Sequence, residues 1–258
     1  MNSESTPLDS DLLHKVVQKE LGQVFAARGI QPRSKGKGFT TREPLSEKDQ
    51  YVLALFRRHD AIMKTLRQFE LVGKFLEEVP DPSYRERTDI HYPDYLQYHI
   101  ENHFLRLTLL FDQVVDLVQL VHRIAEPGDK VFYNQVKRSP VLEGTKILDL
   151  LADFYERLSK ARTVRNAIAH KGDFVDEDLL SVKAQLEILD YLPSEEAKTE
   201  VYREHLEGDV SDKIKRQQRR VANDLDAIAK FYLVVNVLLV DVFREQMAQF
   251  EECAKTDA

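Results

Sequence analysis

Arg165, Asn166 and His170 are the residues of this chain whose types and spacing best suit work on a phosphate. They lie in Ala161-Arg-Thr-Val-Arg-Asn-Ala-Ile-Ala-His-Lys-Gly172, which reads as the last turns of a helix closed by glycine, the residue that most readily takes the left-handed conformation. Asn166 and His170 are four positions apart and share a face, and Arg165 adjoins Asn166. A planar cation, an amide and an imidazole thus gather at a helix end, where the dipole favours the protonated imidazole. The competing reading is a polar helix end, with Arg165 in a surface salt bridge and His170 on the last carbonyls. Arg162 and Lys171 flank the group and are further candidate contacts for a phosphate backbone.

Two other constellations invite chemistry. His99-Ile-Glu-Asn-His103 places two histidines one helical turn apart, the spacing of a helical metal pair. A zincin helix needs glutamate directly after the first histidine, where this chain has Ile100, and Glu101 points about a third of a turn away. A third ligand would have to come from elsewhere, for instance His91, so the expectation is no metal site. Polar-face histidines, or histidines bordering a functional groove, are the other readings. The run Lys213-Ile-Lys-Arg-Gln-Gln-Arg-Arg220 groups Arg216, Arg219 and Arg220 at helical spacing, either as a solvated face or as a patch that tracks phosphates. No Gly-rich phosphate loop, dinucleotide fingerprint, nucleophile elbow or Cys/His catalytic pair occurs, and no cofactor is expected.

These residues must be held by helices. Glycine and proline, nine each in 258 residues, fall between segments of 3.6-residue periodicity, and alternating strand patterns are nearly absent, so the chain is expected to be all-α. A first helix is expected over 9–28, with Leu12, Leu13, Val16, Val17, Leu21, Val24 and Phe25 as its stripe. Residues 31–42, rich in glycine and cations, read as a solvated loop or as a basic arm for nucleic-acid backbone. Ser46-Glu-Lys-Asp49 is a capping-box start for a helix to about Glu78, offering Leu53, Phe56, Met63, Leu66, Phe69, Leu71, Val72 and Phe75 for burial, before Pro80-Asp-Pro82. A helix from Pro93-Asp94 to Ile124 carries Leu96, Ile100, Phe104, Leu107, Phe111, Val114, Val118 and Val121, and Glu126-Pro-Gly128 ends it. Such a dense stripe needs a partner helix.

Asp129 is expected to cap a short helix to Lys137, with a restart at Ser139-Pro140. The motif helix should then run over 141–171 and bury Ile147, Leu150, Leu151, Phe154, Leu158, Ala161, Val164 and Ile168. Helices at 176–191, 194–206 and 209–253 complete the chain. The run Phe231–Val240 is apolar nearly all round, as inside a bundle or a subunit interface. The expected organisation is an N-terminal helix and basic loop (1–45) followed by a bundle of long antiparallel helices (46–258).

Composition narrows the functional classes. The formal net charge of -7 opposes a nonspecific DNA-coating protein but leaves room for a local basic patch. A single cysteine, Cys253, excludes an internal disulfide and fits a reducing compartment. The start MNSESTPLDSD has neither a basic region nor an apolar one, and no apolar run is long enough to span a bilayer. A soluble cytoplasmic protein is the expectation.

Arg165-Asn166-Ala167-Ile168-Ala169-His170 resembles the motif of the HEPN superfamily: arginine, a polar residue, three positions, histidine. Tyr98-His-Ile-Glu-Asn-His-Phe-Leu-Arg-Leu-Thr-Leu-Leu-Phe-Asp-Gln-Val-Val115 is similar to the first core helix of the Cthe_2314-like HEPN branch. The resemblance covers roughly residues 90–250 and leaves 1–90 unexplained. It implies an all-α fold and, in the catalytic members, a metal-independent endoribonuclease working as a homodimer with two facing motifs. His170 would then be the acid/base group, Arg165 the cation on the phosphate and Asn166 the group that orients the pair. It also implies alternatives: a relative that binds RNA or a protein without cutting, or a structural helical dimer. Toxin and phage-defence members of the family bring in an antitoxin as a further candidate partner.

Overall fold

The computed structural model describes residues 12–29, 31–32, 39–40, 44–77, 90–124, 132–171, 176–191 and 197–256. In order these form α1 (Leu12–Arg28), β1 (Gln31–Pro32), β2 (Phe39–Thr40), α2 (Glu47–Glu77), α3 (Tyr92–Val121), α4 (Tyr133–Val136), α5 (Lys146–Arg157), α6 (Ser159–Lys171), α7 (Glu177–Tyr191) and α8 (Ala197–Thr256). The fold class is all-α, as the periodicity requires. One short antiparallel ladder, pairing Gln31 with Thr40 and Pro32 with Phe39, interrupts the expected loop. The expected stops at Pro80-Asp-Pro82, Glu126-Pro-Gly128 and Gly172, the cap at Asp129, and residues 33–38 of the basic loop lie outside the described residues.

The chain divides into two compact units. The first comprises Met1–Thr65, Leu110–Arg157 and Ile228–Ala258. In it α1 buries Leu13, Val17, Leu21 and Val24, one stripe at spacings of three and four, while Leu12 faces solvent. Gly29 closes α1 at φ 55°, a left-handed position suited to glycine. Ser46 and Asp49 form the anticipated capping box: the Asp49 N–H donates to Ser46 Oγ at 3.2 Å, and the Ser46 N–H donates to Asp49 Oδ2 at 2.9 Å. Arg28 Nε also donates to Asp49 Oδ2, at 2.8 Å, tying the end of α1 to the start of α2. Burial raises the Asp49 pKa, but these hydrogen bonds and the Arg28 charge outweigh it and hold the carboxyl below its ordinary range. The core of this unit is aromatic: Phe154 stacks on Phe231 with centroids 4.1 Å apart, and Tyr133 stacks on Tyr155 at 4.3 Å.

The second unit comprises Leu66–Leu109 and Leu158–Ala227. Its core takes Leu66, Phe69, Val72 and Leu76 from α2, and Leu96, Ile100, Phe104 and Leu107 from α3. Ala161 of α6, Leu179 and Val182 of α7, and Leu206, Val210 and Val221 of α8 join them.

The α3 stripe is buried at every position from Leu96 to Val121 that the heptad-like spacing selects. Three expectations need correction. The inward face of α2 is Tyr51, Val52, Leu55, Ile62, Leu66, Phe69, Val72 and Leu76, so Leu71 and Phe75, expected inside, are 47% and 42% exposed. The motif helix does not run unbroken from 141. Gly144, at φ 71°, and Thr145 precede a start at Lys146, where Thr145 Oγ1 accepts the Leu148 N–H at 3.3 Å. Leu158 is a turn residue separating α5 from α6. The last two expected helices are one 60-residue helix, α8, which passes through Gly208. A mid-helix glycine costs only about 1 kcal/mol relative to alanine, and a continuous helix absorbs it.

Candidate functional site

Helix α6 carries the motif within the second unit. Its inward residues lose burial toward the C-terminal end: Leu158, just ahead of it, and Ala161 are buried, whereas Val164 and Ile168 are half-buried. The amphipathic pattern therefore anchors the first turns and leaves the last ones open. Arg165, Asn166 and His170 are all exposed there. Arg165 Nη1 donates to Asn166 Oδ1 at 3.1 Å, so the amide holds the guanidinium from one side and leaves its other donors directed to solvent. His170 follows Asn166 by one turn, a rise of about 6 Å.

The flanking cations have different fates. Arg162 is half-buried, and the Lys171 side chain lies outside the described residues. Arg216 makes a two-pronged contact with Asp178, Nη2 to Oδ1 at 2.9 Å and Nε to Oδ2 at 3.4 Å. Arg220 reaches Asp176 Oδ2 at 3.6 Å and lies over the Phe104 ring, 4.7 Å from its centroid. Arg219 is exposed. The basic run on α8 thus faces the N-terminal end of α7.

Asp176 is the organising residue of that contact, and the sequence reading did not single it out. Its Oδ1 caps α7, accepting the Asp178 N–H at 3.1 Å and the Leu179 N–H at 3.3 Å. The same oxygen accepts Gln217 Nε2 at 3.1 Å. One turn earlier on α8, Lys213 reaches Asp209, Ser181 (2.7 Å) and Gln185 (3.2 Å). The signal was Asp176 at the start of the helix predicted over 176–191, two residues before Asp178, with a basic helix later in the chain to receive both.

The two histidines of α3 part company. His103, 1% exposed, places Nε2 2.8 Å from Asp224 Oδ2 and packs against Phe69 at 4.7 Å. His99 sits among rings instead: Phe75 at 4.8 Å, Tyr95 at 4.4 Å and Tyr98 at 5.3 Å. Burial pushes the His99 imidazole below its ordinary pKa and favours the neutral form. Among the described residues no three histidine, cysteine or acidic side chains gather as a metal would need. In the first unit a second pair escaped sequence reading: His14 Nδ1 lies 2.9 Å from His59 Nδ1, with the rings stacked at 4.4 Å. Forty-five positions separate them, and no local pattern announces the contact.

A helical chain with an exposed Arg-Asn-x-x-x-His at a helix end has the form of a HEPN domain. The chain belongs to the Cthe2314-like HEPN family, whose model matches residues 56–232, about two thirds of its length. The match begins well before residue 90, so much of α2, which the resemblance had left unexplained, is part of the family region. No curated protein and no solved structure matches the chain. No described helix is long and apolar enough to cross a membrane.

Proposed function

We propose that this HEPN module is a metal-independent endoribonuclease that cuts single-stranded RNA at a site composed of two motifs in a homodimer. The observation that carries the reading is the Arg165–Asn166 contact on an open helix face, with His170 one turn further on. In this chemistry the RNA 2′-oxygen attacks the adjacent phosphorus and the 5′-oxygen leaves, giving a 2′,3′-cyclic phosphate and a 5′-hydroxyl. One group must take the 2′-hydroxyl proton and another must give a proton to the leaving oxygen. One motif offers one imidazole, so His170 of each copy fills one of the two roles. Arg165, steadied by Asn166, presents a planar fork to the charge that builds on the phosphorane.

The chain's charge balance and the pairing of Arg216 and Arg220 with Asp178 and Asp176 favour a second reading, a HEPN module that binds RNA or a protein without cutting. Cleavage of single-stranded RNA in EDTA separates the two. His170→Ala should lower the rate by about 100-fold or more while the dimer persists on sizing. Unchanged cleavage, or a strictly monomeric active enzyme, would overturn the composite site.

A further inference from the structure

Within the second unit, the exposed residues of α2 among the described side chains are Arg67, Gln68, Leu71, Lys74 and Phe75. Among the described side chains of this face, which end at Leu76, there are two exposed cations and no exposed carboxylate, and Glu70 is half-buried. Neither Arg67 nor Lys74 is drawn into an ion pair among the described residues. That contrasts with Arg216 and Arg220, whose guanidinium groups already face aspartates. Beside Lys74 stands Phe75, 42% exposed, stacked on the His99 imidazole at 27° between ring planes. Tyr98 is 61% exposed and stands at 79° to the same imidazole. Phe75 and Tyr98 are therefore two open ring surfaces bridged by a buried one. Tyr95 donates its hydroxyl to the Phe75 carbonyl at 3.2 Å and so fixes the Phe75 backbone against α3. Of the acids nearby on α3, Asp94 faces Lys183 at 3.9 Å, and Glu101 accepts the Gln97 amide at 2.8 Å.

Two exposed rings joined through one imidazole, beside cations that make no ion pair among the described residues, suit a ligand with flat faces and anionic groups. We propose that Phe75 and Tyr98 form a base-stacking platform for single-stranded RNA, with Arg67 and Lys74 tracking its phosphates. Bases stack on aromatic rings irrespective of their sequence, and a row of cations supplies the salt-dependent part of binding. The platform rests on the reading of this module as RNA-directed, but not on its catalysis. It lies outside the Arg165–His170 motif in sequence and gives the substrate a second point of attachment.

The test uses the full chain carrying His170→Ala, so that RNA survives, and a short fluorescently labelled single-stranded RNA followed by anisotropy. Tyr98→Ala and Phe75→Ala should each weaken binding about tenfold. Tyr98→Phe, which keeps the ring, should bind as the parent does. Lys74→Gln should lower the slope of log K against log salt by about 0.7, the loss of one phosphate contact. Both rings are exposed, and unchanged thermal melting will confirm that truncation leaves the core intact. Unchanged affinity in the double Phe75→Ala/Tyr98→Ala protein, or no RNA binding by the His170→Ala parent, overturns the platform. Ring-dependent binding by a wild-type chain that leaves RNA whole would instead sink the catalytic reading and keep the platform. Cleavage that persists with both rings removed and affinity unchanged would do the reverse.

Discussion

Along α8, residues 209–224 add a row of charged and polar contacts to the buried Val210 and Val221, whereas residues 228–247 meet their neighbours chiefly through apolar burial. In the first stretch Lys213, Arg216, Gln217, Arg220 and Asp224 recur at helical spacing, and each contacts a polar or charged side chain on α3, on α7 or at the Asp176 cap of α7. In the second, Ile228, Phe231, Tyr232, Val235, Leu239, Val240, Phe243 and Met247 are buried. Both use the same 3.6-residue geometry. The polar stretch teaches that a basic run on a helix can be read as a phosphate patch only after its carboxylate partners have been located. The apolar stretch teaches something different: its outer face keeps Val234 and Val237 44% and 52% exposed, so an apolar run need not be enclosed all round.

The contrast predicts unequal costs of truncation. Phe154 is 6% exposed and stacks on Phe231 at 9° between planes, with Phe111 6.3 Å away. Phe154→Ala should cost about 3–5 kcal/mol in urea unfolding, through lost burial and the cavity left behind. A loss below about 1 kcal/mol would mean that this core collapses freely and would break the comparison. On the polar side, Asp176→Ala removes the α7 cap and the partner of Gln217 and Arg220 together. A lost cap costs about 0.5–2 kcal/mol, and a part-exposed ion pair adds little. The expected loss is therefore smaller than at Phe154, and Asp176→Asn, which can still cap, should recover most of it. Equal losses for Asp176→Ala and Phe154→Ala would show that charge, not burial, dominates the polar stretch.

Legibility followed locality. The α3 stripe, the Ser46–Asp49 capping box and the exposed motif end of α6 depend on residues within a turn or two, and periodicity exposes such patterns directly. The Leu158 interruption and the α2 face were misread because several apolar residues sit near each helix face, and tertiary packing selects among them. Phe75 shows this well: it looked like core, yet it lies on His99 with much of its ring open. Asp176 with Arg220, His103 with Asp224, and His14 with His59 join residues 44, 121 and 45 positions apart. No spacing rule links positions so distant, so the partners of a cation or a histidine emerge only in the folded chain.

The smallest expected effect is a titration that both units share. Burial holds His99 in the second unit and His122 in the first below the ordinary histidine value of 6.5. An imidazole with a depressed folded pKa binds its proton more readily when unfolded, so stability rises with pH across that interval. The contribution is complete above about pH 6.5 and is lost as pH falls through the folded value. Urea midpoints should accordingly drop between neutrality and mildly acidic pH. His99→Gln should remove one part of the drop and His122→Gln another, with the double substitution flattest. If His99→Gln alone abolished the whole dependence, titration would belong to the second unit and the two units would differ in charge as well as in packing. If neither substitution changed the slope, the burial of these rings would not govern their protonation.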